Sequence, residues 1–129
     1  MKKEIADKWT AALRSGDYKQ GPGALCKDGA FCCLGVLCDL HRKEVGGEWT
    51  EADVPFSDLP APAPFGSMYY TVGDDDYDYA LLPETVAEWA GVRSISPSPR
   101  YQQCLTVLND NGWKFEHIAD LIDTNWEDL

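Results

Sequence analysis

The chain has 129 residues, 44% of them hydrophobic and 12% aromatic, which suits one domain of the common size of about 100–150 residues and excludes a disordered composition. Eleven Lys and Arg stand against 22 Asp and Glu, and residues 44–92 hold eleven of those acids with no Lys or Arg, so the ends are neutral and the middle is a polyanion. That distribution argues against binding a phosphate backbone, and a charged start (Met1-Lys2-Lys3-Glu4) with no apolar run near 18 residues argues against secretion and membrane spanning.

In chain order, Ile5, Trp9, Ala12 and Leu13 recur at helical spacing and predict a helix that stops at Gly16. A turn-rich stretch to Gly23 follows. Phe31 to Leu40 is the most apolar segment and is apolar on every side, which predicts a fully buried central helix over about 31–41, with a buried strand as the alternative. From Glu44 to Pro83 the helical period is lost, and Pro55, Pro60, Pro62 and Pro64 break any long element. Met68 to Gly73 and Tyr77 to Leu82 are rich in strand formers and flank Asp74, Asp75 and Asp76, predicting a hairpin with an acidic turn.

Helical signals then return. Pro83 suits a first helical position, Val86, Trp89 and Ala90 share a face, and Gly91 suits a C-terminal cap. Ser98-Pro99 opens the next predicted helix, in which Tyr101, Cys104, Leu105 and Leu108 line one face before Gly112 ends it. Phe115, Ile118, Ala119, Ile122 and Trp126 mark the last. The expectation is one α+β domain over residues 1–129, helix-dominated, with about five helices around the central one. A small acidic hairpin excursion at about 68–82 lies within an acidic, aromatic-rich stretch, 44–82.

Five cysteines without a secretion signal read as intracellular thiols. The cluster Cys26, Cys32, Cys33, Cys38 and His41 has ligand types that zinc favours, yet its spacing lacks C-x-x-C, so buried reduced thiols are expected and no metal. A cysteine hydrolase is the sharper alternative: Cys32 or Cys33 at a helix start, Gln20 as oxyanion donor and His117 as base. Asp74-Asp75-Asp76-Tyr77-Asp78 invites calcium, but the Ca-loop pattern would need Gly where Tyr79 stands and Glu where Thr85 stands. Two helices meeting at Gly112 suggest a helix-turn-helix, but the second, from Lys114 to the end, carries one Lys against five acids. Gly21-Pro22-Gly23 beside Arg14, Lys19 and Gln20 reads as a weak phosphate cradle for a nucleotide ligand.

Three stretches form a set: Trp9-Thr10-Ala11-Ala12-Leu13-Arg14-Ser15-Gly16-Asp17-Tyr18-Lys19-Gln20-Gly21, then Phe31-Cys32-Cys33-Leu34-Gly35-Val36-Leu37-Cys38-Asp39-Leu40, then Leu108-Asn109-Asp110-Asn111-Gly112 with Phe115, Ile118, Ala119, Asp120 and Ile122. In this order they resemble a family of small accessory proteins encoded by tailed bacteriophages and prophages, over residues 9–40 and 82–126. The resemblance implies a viral origin and the host cytoplasm, and brings no activity with it. Lys114 departs from the pattern, which more usually has a small polar capping residue there.

The acidic middle suits a basic partner, because carboxylates pair with guanidinium groups and aromatic faces stack on them. The expected function is therefore non-enzymatic: binding and modulating a host protein with a basic surface, in host takeover or anti-defence, without catalytic residues, cofactor, membrane or direct nucleic-acid contact. The partner surface is expected at Asp74, Asp75, Asp76, Asp78, Tyr69, Tyr70, Tyr77 and Tyr79. Sequestering a nucleotide signal at Arg14, Lys19 and Gln20 is the alternative.

Overall fold

The computed structural model describes residues 1–51, 66–100 and 102–129. The four prolines 55, 60, 62 and 64, and Tyr101, lie outside the described residues. The fold is α+β and helix-rich, with five α-helices and a six-stranded sheet among the described residues.

Helix α1 (Lys3–Arg14) buries Ile5, Ala6, Trp9, Thr10 and Leu13 on one face, as its apolar spacing requires. Strand β1 (Lys19–Gln20) lies within the stretch that reads as turn, and β2 (Cys26–Lys27) and β3 (Ala30–Phe31) follow after it. Helix α2 spans Cys33–Glu44 and buries every residue from Cys33 to Asp39, together with His41. It is the expected central helix with shifted bounds, since Phe31 belongs to β3 and Cys32 is the N-cap. The Trp9 indole N–H donates to the Cys33 carbonyl at 2.9 Å and fixes α1 across the start of α2.

Strand β4 (Glu48–Glu51) opens the acidic stretch, and β5 (Ser67–Val72) with β6 (Asp76–Asp78) forms the expected hairpin. The hairpin is also joined to the rest of the sheet. Strand β5 is the sheet's hub: it pairs antiparallel with β4 (Trp49 opposite Tyr70), with β2 (Cys26 opposite Met68) and with β6. The second strand also ends at Asp78 rather than Leu82, because the Asp78 carboxylate takes the amides of Tyr79, Ala80 and Leu81 and curls the chain.

Helix α3 (Glu84–Ala90) starts after Pro83 and ends at Gly91, whose φ of 72° is the left-handed cap that glycine adopts at least cost. Helix α4 is only Leu105–Asp110. The expected start at Ser98-Pro99 is corrected: Cys104 has the extended backbone of an N-cap, and the Leu105 amide reaches back to Pro97 O. Helix α5 (Phe115–Asn125) packs along α1 and runs into a short 3₁₀ turn, Trp126–Asp128. The hydrophobic cluster joins Trp9 and Leu13, the buried face of α2, Tyr70, Val86, Leu105, Ile118 and Ile122.

Gly35 sets the distance between α2 and the sheet. A Cβ there would overlap the carbonyl of Leu25, the same oxygen that accepts from the Cys32 amide at 3.2 Å. Gly35→Ala gains about 1 kcal/mol of helix propensity but forces backbone apart, so a net destabilisation of about 1–3 kcal/mol is expected in urea unfolding. A net stabilisation would show that α2 can move away from Leu25 without loss.

Candidate functional site

The hairpin tyrosines divide by burial. Tyr69 and Tyr70 are 1% and 0% exposed, so both belong to the core and are corrected from the expected partner surface. Tyr77 and Tyr79 are half-buried, with their rings edge-on to Tyr69 at 6.1 and 5.7 Å.

The four aspartates divide as well. The Asp76 carboxylate accepts from the amides of Glu84 (3.0 Å) and Thr85 (2.7 Å), capping α3 where Pro83 has no side chain able to do so. Asp78 Oδ1 accepts from three successive amides at 2.7, 2.9 and 3.2 Å. Both aspartates are therefore structural caps, and Asp74 and Asp75 alone are exposed at the tip. Among the described residues the other exposed acids on these elements are Glu48 and Glu51 on β4 and Glu84 and Glu88 on α3, with Glu44 at the end of α2 beside them. The β4–β5 and β5–β6 ladders and the Asp76 cap bind these elements into one acidic layer. Among the described residues the one ion pair that reaches into 44–92 is Lys8 with Glu44, so the layer's remaining carboxylates lack an internal cation.

Arg14 and Gln20 of the alternative site line an open cleft of about 890 Å³ between the end of α1, β1 and the start of α5, together with Tyr18, Lys114, Phe115 and His117 among others. Two of them are already engaged. Gln20 Nε2 donates to Asn109 Oδ1 (2.9 Å) and the Trp113 carbonyl (2.6 Å), while its Oε1 accepts from the Phe115 amide (3.0 Å). Gln20 thus supplies the cap that Lys114, at the N-cap position, does not. Arg14 donates to Asp120 and Asp123, each at 2.7 Å, and those hydrogen bonds raise its pKa further. Lys19 is exposed on β1 and does not line the cleft. The expected phosphate cradle is also corrected: the Gly21 amide donates to Phe31 O, and the Gly23 amide donates to the Asp110 carboxylate.

Cys26, Cys32, Cys33 and Cys38 are buried, and His41 with them. Among the described residues no group of three or more His, Cys, Asp and Glu is placed to hold a metal ion. Cys32 does sit at the N-cap of α2, yet burial pushes its thiol up to about 11 and holds Cys33 well above the usual range. Desolvation therefore outweighs the helix-terminus stabilisation that a nucleophile would need. The supposed base, His117, is exposed on α5, 3.9 Å from Glu116. Cys104 differs: burial is opposed by hydrogen bonds from Thr106, Ser96 and the Val107 amide, and the net effect lowers its pKa.

Asp39 is the functional-looking residue that pattern reading passed over. Its side chain is 8% exposed and accepts from Tyr18 Oη (2.7 Å), Arg42 Nε (2.7 Å) and Trp49 Nε1 (3.1 Å). Burial alone would raise its pKa, and these three donors reverse that and hold the carboxyl below the usual range. The available signal is an acid inside an apolar run with Arg42 and Lys43 three and four residues on, within reach on a helix.

A family described as a domain of unknown function (DUF8296) matches residues 1–126, and the chain belongs to it. No curated protein and no solved structure matches the chain. Among the described residues no helix is long and apolar enough to cross a membrane.

Gln20→Ala removes three hydrogen bonds across the α4–α5 junction. It should destabilise the protein by about 1–3 kcal/mol and raise hydrogen exchange at the Phe115 amide. Unchanged exchange there would return Gln20 to the cleft as a free ligand-binding group.

Proposed function

We propose that this chain is a non-enzymatic phage accessory protein that works in the host cytoplasm by binding and modulating a host protein with a basic surface, in host takeover or anti-defence. The acidic layer is the binding surface. The observation that carries this reading is the absence of internal cations from that layer: six exposed carboxylates, Glu48, Glu51, Asp74, Asp75, Glu84 and Glu88, are held on ordered elements with no Lys or Arg in residues 44–92. Carboxylates left without internal partners are available to guanidinium and ammonium groups, and such a surface steers a basic partner before contact. The viral and cytoplasmic parts of the reading rest on the sequence resemblance alone. A cysteine-nucleophile mechanism gains no support from thiols that burial keeps protonated.

A second reading, a nucleotide signal held in the cleft, is favoured by the cleft's volume and by Lys114 and His117 on its wall. It is the weaker one, because Arg14 and Gln20 are spent on internal bonds.

The test uses a partner captured from host lysate and then purified. Neutralising Glu48, Glu51, Asp74 and Asp75 to the matching amides, with the capping Asp76 and Asp78 left intact, should lower the association rate at low salt by about 10-fold or more. Dissociation and thermal stability should change little. Unchanged affinity and salt dependence would reject the acidic layer. A nucleotide that raises the melting temperature of the wild type, but not of Lys114→Ala with His117→Ala, would favour the cleft instead.

A further inference from the structure

His41 is 0% exposed, at the junction of α2 with the sheet and α3. Its Nδ1 lies 2.7 Å from Tyr70 Oη, and its Nε2 is buried without any hydrogen-bond partner. The imidazole stands perpendicular to the rings of Tyr70 (5.8 Å) on β5 and Trp89 (5.2 Å) on α3. One side chain therefore ties the central helix to both parts of the acidic layer.

The protonation state of this contact follows from its donors and acceptors. Of the two neutral tautomers, the one with the ring proton on Nε2 lets the Tyr70 hydroxyl donate to Nδ1 and leaves a single buried group unpaired, whereas the other would leave both the hydroxyl proton and Nε2 unpaired. A second proton on the ring would reverse the bond. Nδ1–H would then donate to Tyr70 Oη, and the phenol proton would join Nε2–H as a buried donor without an acceptor. Buried groups of that kind destabilise the state that contains them.

The charged groups facing the ring from the packed elements are Asp76 on β6 and Glu44 at the end of α2, and both favour the protonated form. Glu44 is partly neutralised by Lys8 at 2.8 Å, and Asp76 is engaged with the α3 amides. Burial outweighs the two carboxylates and lowers the His41 pKa from 6.5.

We propose that His41 is a proton-operated latch: neutral, it holds the β5–β6 hairpin and α3 against α2, and on taking up a proton it releases them. This is a property of the fold and goes beyond the identity of any partner. The sign follows from linkage. The released state has the higher affinity for protons, so closure is complete above a pH of about 6.5 and weakens as the pH falls below it.

The chain has two histidines, which makes the test direct. Native-state hydrogen exchange, corrected for intrinsic rates, is measured between pH 7.5 and 5, above the ordinary carboxylate range. In the wild type, opening of β5, β6 and α3 should increase several-fold toward pH 5, while α1 and α5 hold their protection. The His41 ring resonances should titrate over the same range. The double replacement His41→Phe with Tyr70→Phe keeps both rings and leaves no orphan donor, so it should fold and show no pH response. His117→Gln should keep the response. Constant protection in the wild type down to pH 5, or an equal response in the double variant, would overturn the latch.

Discussion

A carboxylate in the most deeply buried of the described helices sets the geometry of everything around it. Asp39 would be prohibitively costly there if it stood alone, and it is tolerated because donors converge on it from three parts of the chain. Tyr18 reaches it from the segment after α1, Trp49 from β4, and Arg42 from its own helix. Those donors are themselves packed in sequence: Tyr18 stands edge-on to Phe31, Phe31 to Trp49, and Trp49 is tilted on Tyr70, with centroids 5.1, 5.7 and 5.0 Å apart. The seam between α2 and the sheet is thus a line of aromatic rings whose positions one carboxylate fixes.

That seam separates two halves of different electrostatic character. In the helical half, Lys3 pairs with Asp7, and Arg14 with Asp120 and Asp123, so cations and anions cancel at close range. Across the seam the acids of β4, the hairpin tip and α3 have no such cancellation among the described residues, which costs the layer some self-repulsion. The scaffold tolerates this because Asp76 and Asp78 turn two of the charges inward onto backbone amides, where they stabilise turns and a helix start.

Much of the fold was legible because amphipathic spacing is a property of the local sequence. Ile5, Trp9 and Leu13 mark α1, Phe115, Ile118 and Ile122 mark α5, and the run after Phe31 marks the buried α2. The two-residue strands β1, β2 and β3 carry no period and exist because β5 and one another supply hydrogen bonds, so no local signal announces them. Strand β4 reads Glu-Trp-Thr-Glu, too short to stand out from the surrounding breakers. Tyr101 and Cys104 fall at helical spacing from Leu108, but Pro97 and Pro99 hold the chain in turns and α4 begins only at Leu105. The site was less legible than the fold. A run of aspartates looks uniformly solvated until the amides facing Asp76 and Asp78 are known, and nothing local distinguishes Gln20 as a clasp or Asp39 as a hub.

The dependence of the sheet on Asp39 can be measured most directly by native-state hydrogen exchange on Asp39→Asn, which keeps the side chain's size while removing its charge and one acceptor oxygen. Because Tyr18 and Trp49 answer to the same carboxylate, the amides of β4 and of the paired β5 should lose protection together with the segment at Tyr18 and β1, while α1 and α5 keep theirs. Loss confined to the turn of α2 around residue 39, with β4 and β1 unchanged, would contradict the account and reduce Asp39 to a local partner of Arg42.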